Sequence, residues 1–256
     1  MPQGNIGRLI KKAGFPALCF AGIFLIWELG ILIFNVPEYL LPAPSKIAGK
    51  IIGNFNIFSR HASITMLEAF IGFAIANLLS FVVAVIFVHS KKTEKVFYPL
   101  AVALKTIPII AAAPLLVLWL GIGLASKVMV VILICFFPLL VNTVKGLETA
   151  SEEQLNLFRS LFASKWQIFI KLRLPNSLPY IFPALKNSAI IAITGAIVGE
   201  FVGANEGLGY LILVSTYSFN TVTVFAAVAM SSLTGLVFFG LINLLEKRIV
   251  FWQTSD

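Results

Sequence analysis

Charge is scarce in this chain. Only 12% of its 256 residues are Asp, Glu, Lys or Arg, while 59% are hydrophobic and the mean hydropathy is +0.97. Soluble domains average about 25% charged and 45–50% apolar residues. So few charges cannot cover a water-facing surface. This excludes an ordinary soluble domain and leaves the lipid bilayer to cover much of the chain.

Reactive and metal-binding side chains are equally rare. Cys19 and Cys135 lie in apolar runs and are expected to be small core hydrophobes, not a disulfide or metal site. His61 and His89 are isolated along the chain and predict no metal centre. No G-x-x-x-x-G-K-[ST] motif occurs, and no acid, base and nucleophile cluster is apparent. We therefore expect no enzymatic activity and no cofactor bound by this chain.

What the chain does contain is a series of six apolar runs. Each can cross the ~30 Å hydrocarbon core as a helix rising 1.5 Å per residue. Pro108 and Pro114 interrupt the third run and Pro138 the fourth, which predicts either hinges or static bends. The runs are Ala17 to Phe34, about Ile64 to Val88, Phe97 to about Leu120, Lys127 to about Val144, about Ile181 to Val202 and about Val222 to Leu245.

Basic residues predict the orientation of these runs. With the N-terminus in the cytoplasm, 13 of the 19 Lys and Arg fall in cytoplasmic segments and 4 in external segments. Such an excess is typical of cytoplasmic loops, so the net charge of +8 does not indicate nucleic-acid binding. We predict an all-α integral membrane protein with six transmembrane helices and both termini in the cytoplasm. Residues 1–16 form its N-terminal segment, residues 17–248 its transmembrane domain and residues 249–256 its tail.

One long polar stretch, "SEEQLNLFRSLFASKWQIFIKLRLP" at residues 151–175, interrupts the apolar pattern. The orientation places it in the cytoplasm, between the fourth and fifth runs. Ser151 with Gln154, and Ser164 with Gln167, match capping boxes, which predict two short helices joined near Phe162. Pro175 is expected to end the second helix.

Both short helices carry an apolar side that needs a cover. Leu155, Phe158 and Leu161 line the first helix, and Trp166 and Phe169 line the second. Basic residues flank both helices, so the membrane surface is one candidate cover. A cytoplasmic protein with an apolar groove is the other. The residues alone leave the two alternatives open.

A resemblance favours the second alternative. Leu172-Arg-Leu174-Pro175 resembles the end of the cytoplasmic E-A-A, G, I-x-L-P loop of inner-membrane permease subunits of ABC importers. This chain departs from that pattern because Asn156, Phe158 and Phe162 stand where the family has glutamate, alanine and glycine. Further similar segments run from about Leu40 to Leu245. They are "LPAPSKI", "TIPIIAAAPLLVLWLGIGLASK", "FFPLLVNTVKGL", "SKWQIF" and "GEFVGANEGLGYLI".

These segments are similar to the permease group associated with nitrate, aliphatic sulfonate and taurine, whose relatives also import thiamine pyrimidine precursors. The resemblance implies an ABC importer core over about residues 60–248 and a coupling loop at residues 148–175. It also implies a bacterial inner membrane location, a second permease copy, two ATPase subunits that hold ATP and Mg²⁺, and an external solute-binding protein. The residues expected to meet the ATPase are Arg159, Phe162, Ala163, Ser164, Lys165, Trp166 and Phe169.

Two features could line or gate a solute path. The segment "GANEGLG" lacks the Lys-Ser/Thr of a phosphate site, and its glycines predict a tight turn with either a gating or a purely structural role. Intramembrane acids are costly, and Glu28 and Glu200 fall within predicted spans. Glu28 could instead make a helix–helix hydrogen bond or be a protonated buried acid. The pathway or gate candidates are Glu28, Glu200, Gly203, Asn205, Gly207 and Gly209.

An ion-coupled secondary transporter is the alternative function. Such a transporter needs a coupling-ion site, and the few intramembrane carboxylates provide only a sparse one. Glu68 is the remaining acid near a helix start. An acid along a path for anions would be unfavourable, which disfavours nitrate or sulfonate and keeps an uncharged or cationic pyrimidine as a candidate solute.

Overall fold

A computed structural model describes the backbone of residues 4–251 and the side chains of residues 18–103 and 105–251. This part of the chain is helical and contains no strand. The predicted N-terminal segment and C-terminal tail are covered only in part, because residues 1–3 and 252–256 lie outside the described residues. The helices are α1 (Gly4–Phe34), α2 (Pro44–Gly53), α3 (Phe55–His89), α4 (Lys91–Lys105), α5 (Ile109–Leu120), α6 (Leu124–Leu147), α7 (Glu152–Ser160), α8 (Lys165–Ile168), α9 (Leu174–Gly203), α10 (Leu208–Tyr217) and α11 (Thr221–Ile249).

Among the described residues, four helices are long and apolar enough to cross a bilayer. They are α3, α6, α11 and the continuous helix Lys165–Gly203, which joins α8 to α9 through a π-helical turn at Phe169–Arg173. The apolar parts of α1, α5 and α10 are shorter. An all-helical fold with apolar spans is thus confirmed, and the count of six spans stays a prediction.

The third apolar run is two helices. α4 ends at Lys105 and α5 begins at Ile109, with Pro108 in an extended conformation at the N-cap of α5. Proline has no N–H to donate and disfavours a helical residue before it, so the break falls immediately ahead of its ring. Pro114 and Pro138, in contrast, lie inside α5 and α6 without ending them.

α6 and α9 pack against each other along an extensive contact. Their contact is made by small residues, which allow two backbones to approach closely. A Cβ at Gly199 would lie 3.0 Å from the Cα of Lys127, and a Cβ at Gly195 would lie 3.2 Å from the Cα of Val131. The buried side chains around this pair include Cys135, Leu139, Ala189, Ala192, Ile193 and Ala196, with Phe73 and Phe238 from α3 and α11.

The chain divides into two compact units. Residues 4–58 with residues 211–229 form one, and residues 59–210 with residues 230–251 form the other. In the first unit, the Glu28 carboxylate of α1 accepts hydrogen bonds from the Ser45 N–H (3.0 Å) and the Ser45 hydroxyl (2.6 Å). Ser45 lies in the first turn of α2, where a negative charge stabilises the helix dipole. Glu28 therefore makes the helix–helix hydrogen bond that its position allowed.

Candidate functional site

The second unit holds both stretches that the sequence singles out. We call residues 148–175 the amphipathic loop and residues 203–210 the glycine turn. The continuous helix Lys165–Gly203 starts in the first and ends at the second.

Both predicted capping boxes are present in the amphipathic loop. The Gln154 N–H donates to the Ser151 hydroxyl (3.3 Å), and the Ser151 N–H donates to the Gln154 side chain (3.0 Å). Ser164 and Gln167 repeat the exchange at 3.2 and 2.8 Å. The serine side chains thus satisfy N–H groups that the first turn of each helix leaves free. The start of each helix is confirmed at the residue that the sequence predicts.

The end of the second helix was predicted wrongly. Pro175 does not terminate it, because the helix passes through the π-helical turn Phe169–Arg173 and continues to Gly203. A proline normally breaks a helix because it lacks an N–H and collides with the carbonyl one turn earlier. The π-helical turn, with hydrogen bonds from i to i+5, ends at Arg173, so Pro175 occupies the second position of the α-helical segment that follows it.

Phe162 makes the turn between α7 and α8 with a left-handed backbone, φ 55°. The Phe162 N–H donates to the Arg159 carbonyl, and the Ala163 N–H donates to the Phe158 carbonyl, both at 3.0 Å. This pair of bonds is the Schellman motif, whose left-handed position is usually glycine. Phenylalanine therefore adopts the glycine conformation at this position, and its side chain is 96% exposed.

The protein itself covers part of the apolar surface of the loop. Leu155 and Phe169 are buried, and the Phe169 side chain packs with Phe87 and Leu140 of α3 and α6. The rest is uncovered. Exposed apolar side chains at the loop tip are Leu157, Leu161, Phe162 and Trp166, which we call the apolar tip.

Polar contacts fix the base of the amphipathic loop. Arg173 donates to the Leu147 carbonyl at the end of α6 (3.4 Å). Lys91, at the start of α4, pairs with Glu148 and with Glu94, and these hydrogen bonds raise the pKa of the Lys91 ammonium. These contacts tie the base of the loop to the start of α4 and the end of α6.

The predicted contact residues of this loop fall into two groups. Phe169 is buried and anchors the loop, whereas the other six are exposed or partly exposed. Arg159 donates to the Asn156 side chain (3.0 Å) and lies 3.8 Å from Glu152, so Asn156 has a local role. Lys165 forms no ion pair within the described part of the chain. The Trp166 ring stacks on Phe169, with centroids 5.6 Å apart.

The glycine turn is held by side chains from two helices. Oε1 of Glu200, near the end of α9, accepts from the Thr65 hydroxyl (2.7 Å), and its Oε2 accepts from the Gly209 N–H. The Thr65 oxygen also accepts from the Leu208 N–H (2.8 Å). Nδ1 of His61 accepts from the Gly207 N–H (3.0 Å). Successive N–H groups at the start of α10 therefore all have acceptors, which is the requirement of a buried helix N-terminus.

The same carboxylate explains two of the glycines. Gly207 has a left-handed φ of 110°, and a Cβ there would overlap the Glu200 carboxylate. A Cβ on Gly209 would lie 2.7 Å from the Ile197 carbonyl oxygen and 2.8 Å from Oε2 of Glu200. Both positions need glycine because the backbone approaches a buried acid.

Glu200 is buried among further ionisable groups. The Glu68 carboxyl is in hydrogen-bonding contact with it, and the other Glu68 oxygen is buried with no partner within the described chain. Lys127, also buried, faces Glu68 and donates to the Gly123 carbonyl (3.1 Å). Glu200 thus bonds to protein groups on both of its oxygens.

The structure brings only some of the predicted pathway residues into contact with one another. It brings Glu200, Gly207 and Gly209 together, leaves Asn205 exposed and packs Gly203 near Val117. Glu28 belongs to the other unit, where it bonds to Ser45. A gate or pathway role for these residues stays a prediction.

Sequence reasoning missed the roles of His61 and Thr65 as acceptors for the N–H groups of the glycine turn. One signal could have found them. His61, Thr65 and Glu68 follow each other at spacings of four and three, which puts three polar groups on one face of an apolar helix.

Comparison with known proteins agrees with this architecture. A profile of the family described as "Binding-protein-dependent transport system inner membrane component" matches residues 76–251. The chain belongs to this family. The permease is 37% identical over 242 residues to the formylaminopyrimidine transport permease protein of Halalkalibacterium halodurans, covering 94% of this chain and 96% of that relative.

Two more relatives are similar to this chain over almost their full length. The permease is 33% identical to the riboflavin transport system permease protein of Chloroflexus aurantiacus, over 97% of this chain and 95% of the relative. It is 29% identical to the putative aliphatic sulfonates transport permease protein of Bacillus subtilis, over 100% of this chain and 96% of the relative. The chain is therefore a non-enzymatic, multi-pass permease subunit of an ABC importer, as the resemblance implied.

Solved structures share the fold. A chain in the crystal structure of an amino acid ABC transporter with histidines superposes with a TM-score of 0.62 at 16% identity, covering 78% of this chain and 97% of that chain. A chain of the inward-facing MetNI methionine ABC transporter gives 0.60 at 20% identity, covering 78% and 96%.

Proposed function

We propose that this permease lines the path of an ATP-driven importer and receives the motion of a separate ATPase through its amphipathic loop. One observation carries the proposal. The amphipathic loop is tied at its base to α4 and α6 and ends in an exposed apolar tip. Its second half continues as a single helix to the glycine turn. At 1.5 Å per residue, this 39-residue helix is about 58 Å long. A push at the tip can therefore reach the far end of a span along one continuous helix, which includes the π-helical turn Phe169–Arg173.

The cycle follows from this connection. ATP closes a pair of ATPase subunits, each bound to the loop of one permease copy, and the helix carries the displacement toward the glycine turn. Six spans, both termini in the cytoplasm and an external solute-binding protein complete the proposed assembly. ATP and loaded binding protein then bias a two-state change, as in any coupled equilibrium.

Glu200 has a defined part in this proposal. It lies at the end of the moving helix and holds the N–H of Gly209, while Thr65 of α3 holds the N–H of Leu208. The glycine turn is thereby tied to both helices. A shift of α9 relative to α3 must stretch or break these bonds, which makes the glycine turn the proposed outer gate element. The named pathway candidates Gly203 and Asn205 lie in the same turn.

For the solute, we propose a nitrogen heterocycle of the aminopyrimidine type. Relatives at 37% and 33% identity are named for formylaminopyrimidine and riboflavin, and the relative named for aliphatic sulfonates is 29% identical. A path that includes acids suits an uncharged or cationic ring better than an anion. Calorimetry on the cognate solute-binding protein tests this proposal. Tight binding of an aminopyrimidine is expected, and tight binding of a sulfonate alone would contradict it.

The docking step is tested by co-purification with the cognate ATPase. Trp166→Asp puts a charge into the apolar tip and should abolish co-purification while membrane insertion is unchanged. Trp166→Phe keeps an aromatic ring against Phe169 and should retain it. Wild-type recovery of the ATPase with Trp166→Asp would contradict docking at this loop. The alternative, an ion-coupled secondary transporter, is not favoured by the family to which the chain belongs.

A further inference from the structure

A cavity of about 450 Å³ lies beside the break between α4 and α5 and against α6. Its volume is in the range of small-molecule sites, whose walls are mostly apolar with a few polar groups. Apolar side chains form most of its wall, and Lys105 is the charged residue in its lining. The lining also includes two aromatic side chains, Trp119 of α5 and Phe137 of α6.

The break between α4 and α5 falls deep within the third apolar run. Ile107 follows the start of that run, Phe97, by about ten residues, which is about 15 Å at the helical rise and half of the ~30 Å hydrocarbon core. Thr106, Ile107 and Pro108 are exposed and lie outside both helices. Non-helical backbone at membrane depth is tolerated only where it is buried in protein or lines a water-filled cavity. This side of the permease therefore does not face lipid.

Lys105 brings a charge to the same depth. It is the last residue of α4, about 12 Å of helix beyond Phe97, and it forms no ion pair within the described part of the chain. Its ammonium lies 5.1 Å from the centroid of the Phe137 ring, a cation–π contact that provides no hydrogen-bond acceptor. Ionisable side chains within spans usually mark a solute or ion path. Lys105 therefore has donors that its contacts in this chain do not use.

A proline modifies the α6 wall of the cavity. Pro138 has no N–H, so the Ile134 carbonyl one turn earlier lacks its usual helical donor. Both residues line the cavity. The wall thus combines a donor at Lys105, a backbone acceptor at Ile134 and aromatic surface.

These groups describe one class of ligand. A flat ring suits apolar and aromatic walls, an acceptor on that ring can receive a hydrogen bond from Lys105, and an amino group can donate to the Ile134 carbonyl. The ammonium repels a cationic ring. An anion is disfavoured as well, because one donor does not replace the hydration that a full charge loses in an apolar cavity.

We propose that this cavity is the mid-membrane resting site of the solute, an uncharged nitrogen heterocycle that carries an amino group and a carbonyl or ring-nitrogen acceptor. Lys105 donates to the acceptor, and Phe137 and Trp119 cover the ring. The inference rests on the proposed function and narrows its solute, because Lys105 excludes the cationic form.

The number of solute molecules transported per ATP hydrolysed tests the role of Lys105. Proteoliposomes contain the permease and its ATPase, and the binding protein is loaded with formylaminopyrimidine. Lys105→Met removes the donor and should lower this ratio about tenfold or more, because a hydrogen bond from a charged group is lost. Lys105→Arg keeps a charged donor and should stay within about threefold of wild type. Lys95→Met is the control, since Lys95 is exposed near the start of the same helix, and it should leave the ratio unchanged.

A wild-type ratio in Lys105→Met would overturn the resting site while leaving ATP-driven import intact. A parallel fall in uptake and ATP hydrolysis leaves the ratio unchanged and would also overturn it, because Lys105 would then have a structural role. An equal fall in Lys95→Met would do the same. If the wild-type permease shows no ATP-dependent uptake, or the binding protein does not bind formylaminopyrimidine, the proposed function and this inference both fail.

Thiol modification tests the cavity without transport. Ala112 lines the cavity, whereas its neighbour Ala113 is fully buried. With Cys19 and Cys135 replaced by serine, Ala112→Cys in nanodiscs should react with a water-soluble methanethiosulfonate, and excess formylaminopyrimidine should slow the reaction. Ala113→Cys is the control and should stay unreactive.

Three results of this modification experiment would overturn the proposal. They are no reaction at Ala112→Cys, a rate that formylaminopyrimidine does not change, and equal reaction at Ala113→Cys. Protection by ethanesulfonate as strong as that by formylaminopyrimidine would overturn the uncharged class of solute.

Discussion

At the scale of single residues, Glu200 accounts for most of the glycine turn. Its two oxygens bond to the Thr65 hydroxyl and the Gly209 N–H, and its bulk excludes any side chain at Gly207. The sequence marks Glu200 as a costly acid and the glycines as a tight turn. Their connection is invisible in the sequence, because the Thr65 contact spans 135 residues and depends on how α3 and α9 pack.

Replacing Glu200 should destabilise the permease measurably. Glu200→Gln keeps the size but turns one acceptor into a donor, so the Gly209 N–H or the Thr65 hydroxyl loses its partner. A buried polar group without a partner costs about 1–3 kcal/mol. Thermal unfolding in detergent should show this loss as a lower midpoint.

Glu206→Gln is the matched control for that measurement. Glu206 pairs with Arg60 at the surface, where both side chains are largely exposed, and such pairs contribute about 0–1 kcal/mol. Equal losses for the two variants would show that the bonds of Glu200 do not hold the turn.

At the scale of helices, capping chemistry is the most reliable signal in this sequence. The Ser151 and Ser164 boxes start α7 and α8 where the pattern predicts, since they depend only on residues three apart. Proline was a weaker guide. Pro108 separates two helices, while Pro114, Pro138 and Pro175 stay within helical segments. Whether a proline ends a helix depends on the backbone conformation of the turn before it. The π-helical turn before Pro175 could not be predicted from the sequence.

The cap at Ser164 should be needed for the start of the long helix. Ser164→Ala removes the acceptor for the Gln167 N–H and should cost about 1 kcal/mol locally. Hydrogen exchange should accelerate at the first residues of α8 and not at Leu172 or beyond. Ser160→Ala is the control, because Ser160 donates to the Leu157 carbonyl at the end of α7 and caps no helix start. Unchanged exchange in Ser164→Ala would contradict the capping role.

At the scale of the whole molecule, apolar runs predict the membrane spans and charge predicts their orientation. The six apolar runs correspond to α1, α3, the α4–α5 pair, α6, α9 and α11, so composition and periodicity predict the helical class and most spans. The orientation stays a prediction, which rests on the excess of Lys and Arg in the segments assigned to the cytoplasm. The contact surfaces between helices do not follow from such patterns, because small residues such as Gly195 and Gly199 acquire meaning only from the opposing helix.

Cysteine accessibility tests the orientation. In a background with Cys19 and Cys135 replaced by serine, a cysteine at Lys165 should react with a membrane-impermeant maleimide only in inside-out vesicles. A cysteine at Glu206 should react only in right-side-out spheroplasts. The opposite pattern would reverse the proposed topology and place the amphipathic loop outside the cell, where no ATPase could reach it.

The most direct test of ATP-driven import is uptake in a reconstituted system. Proteoliposomes would contain the permease and its ATPase, with ATP inside the vesicle when the loop faces the lumen and the solute-binding protein outside. The account predicts accumulation of the bound solute that requires ATP, the binding protein and an intact apolar tip, so that Trp166→Asp abolishes it. Uptake by the permease alone, driven by an ion gradient and insensitive to ATP, would contradict the account.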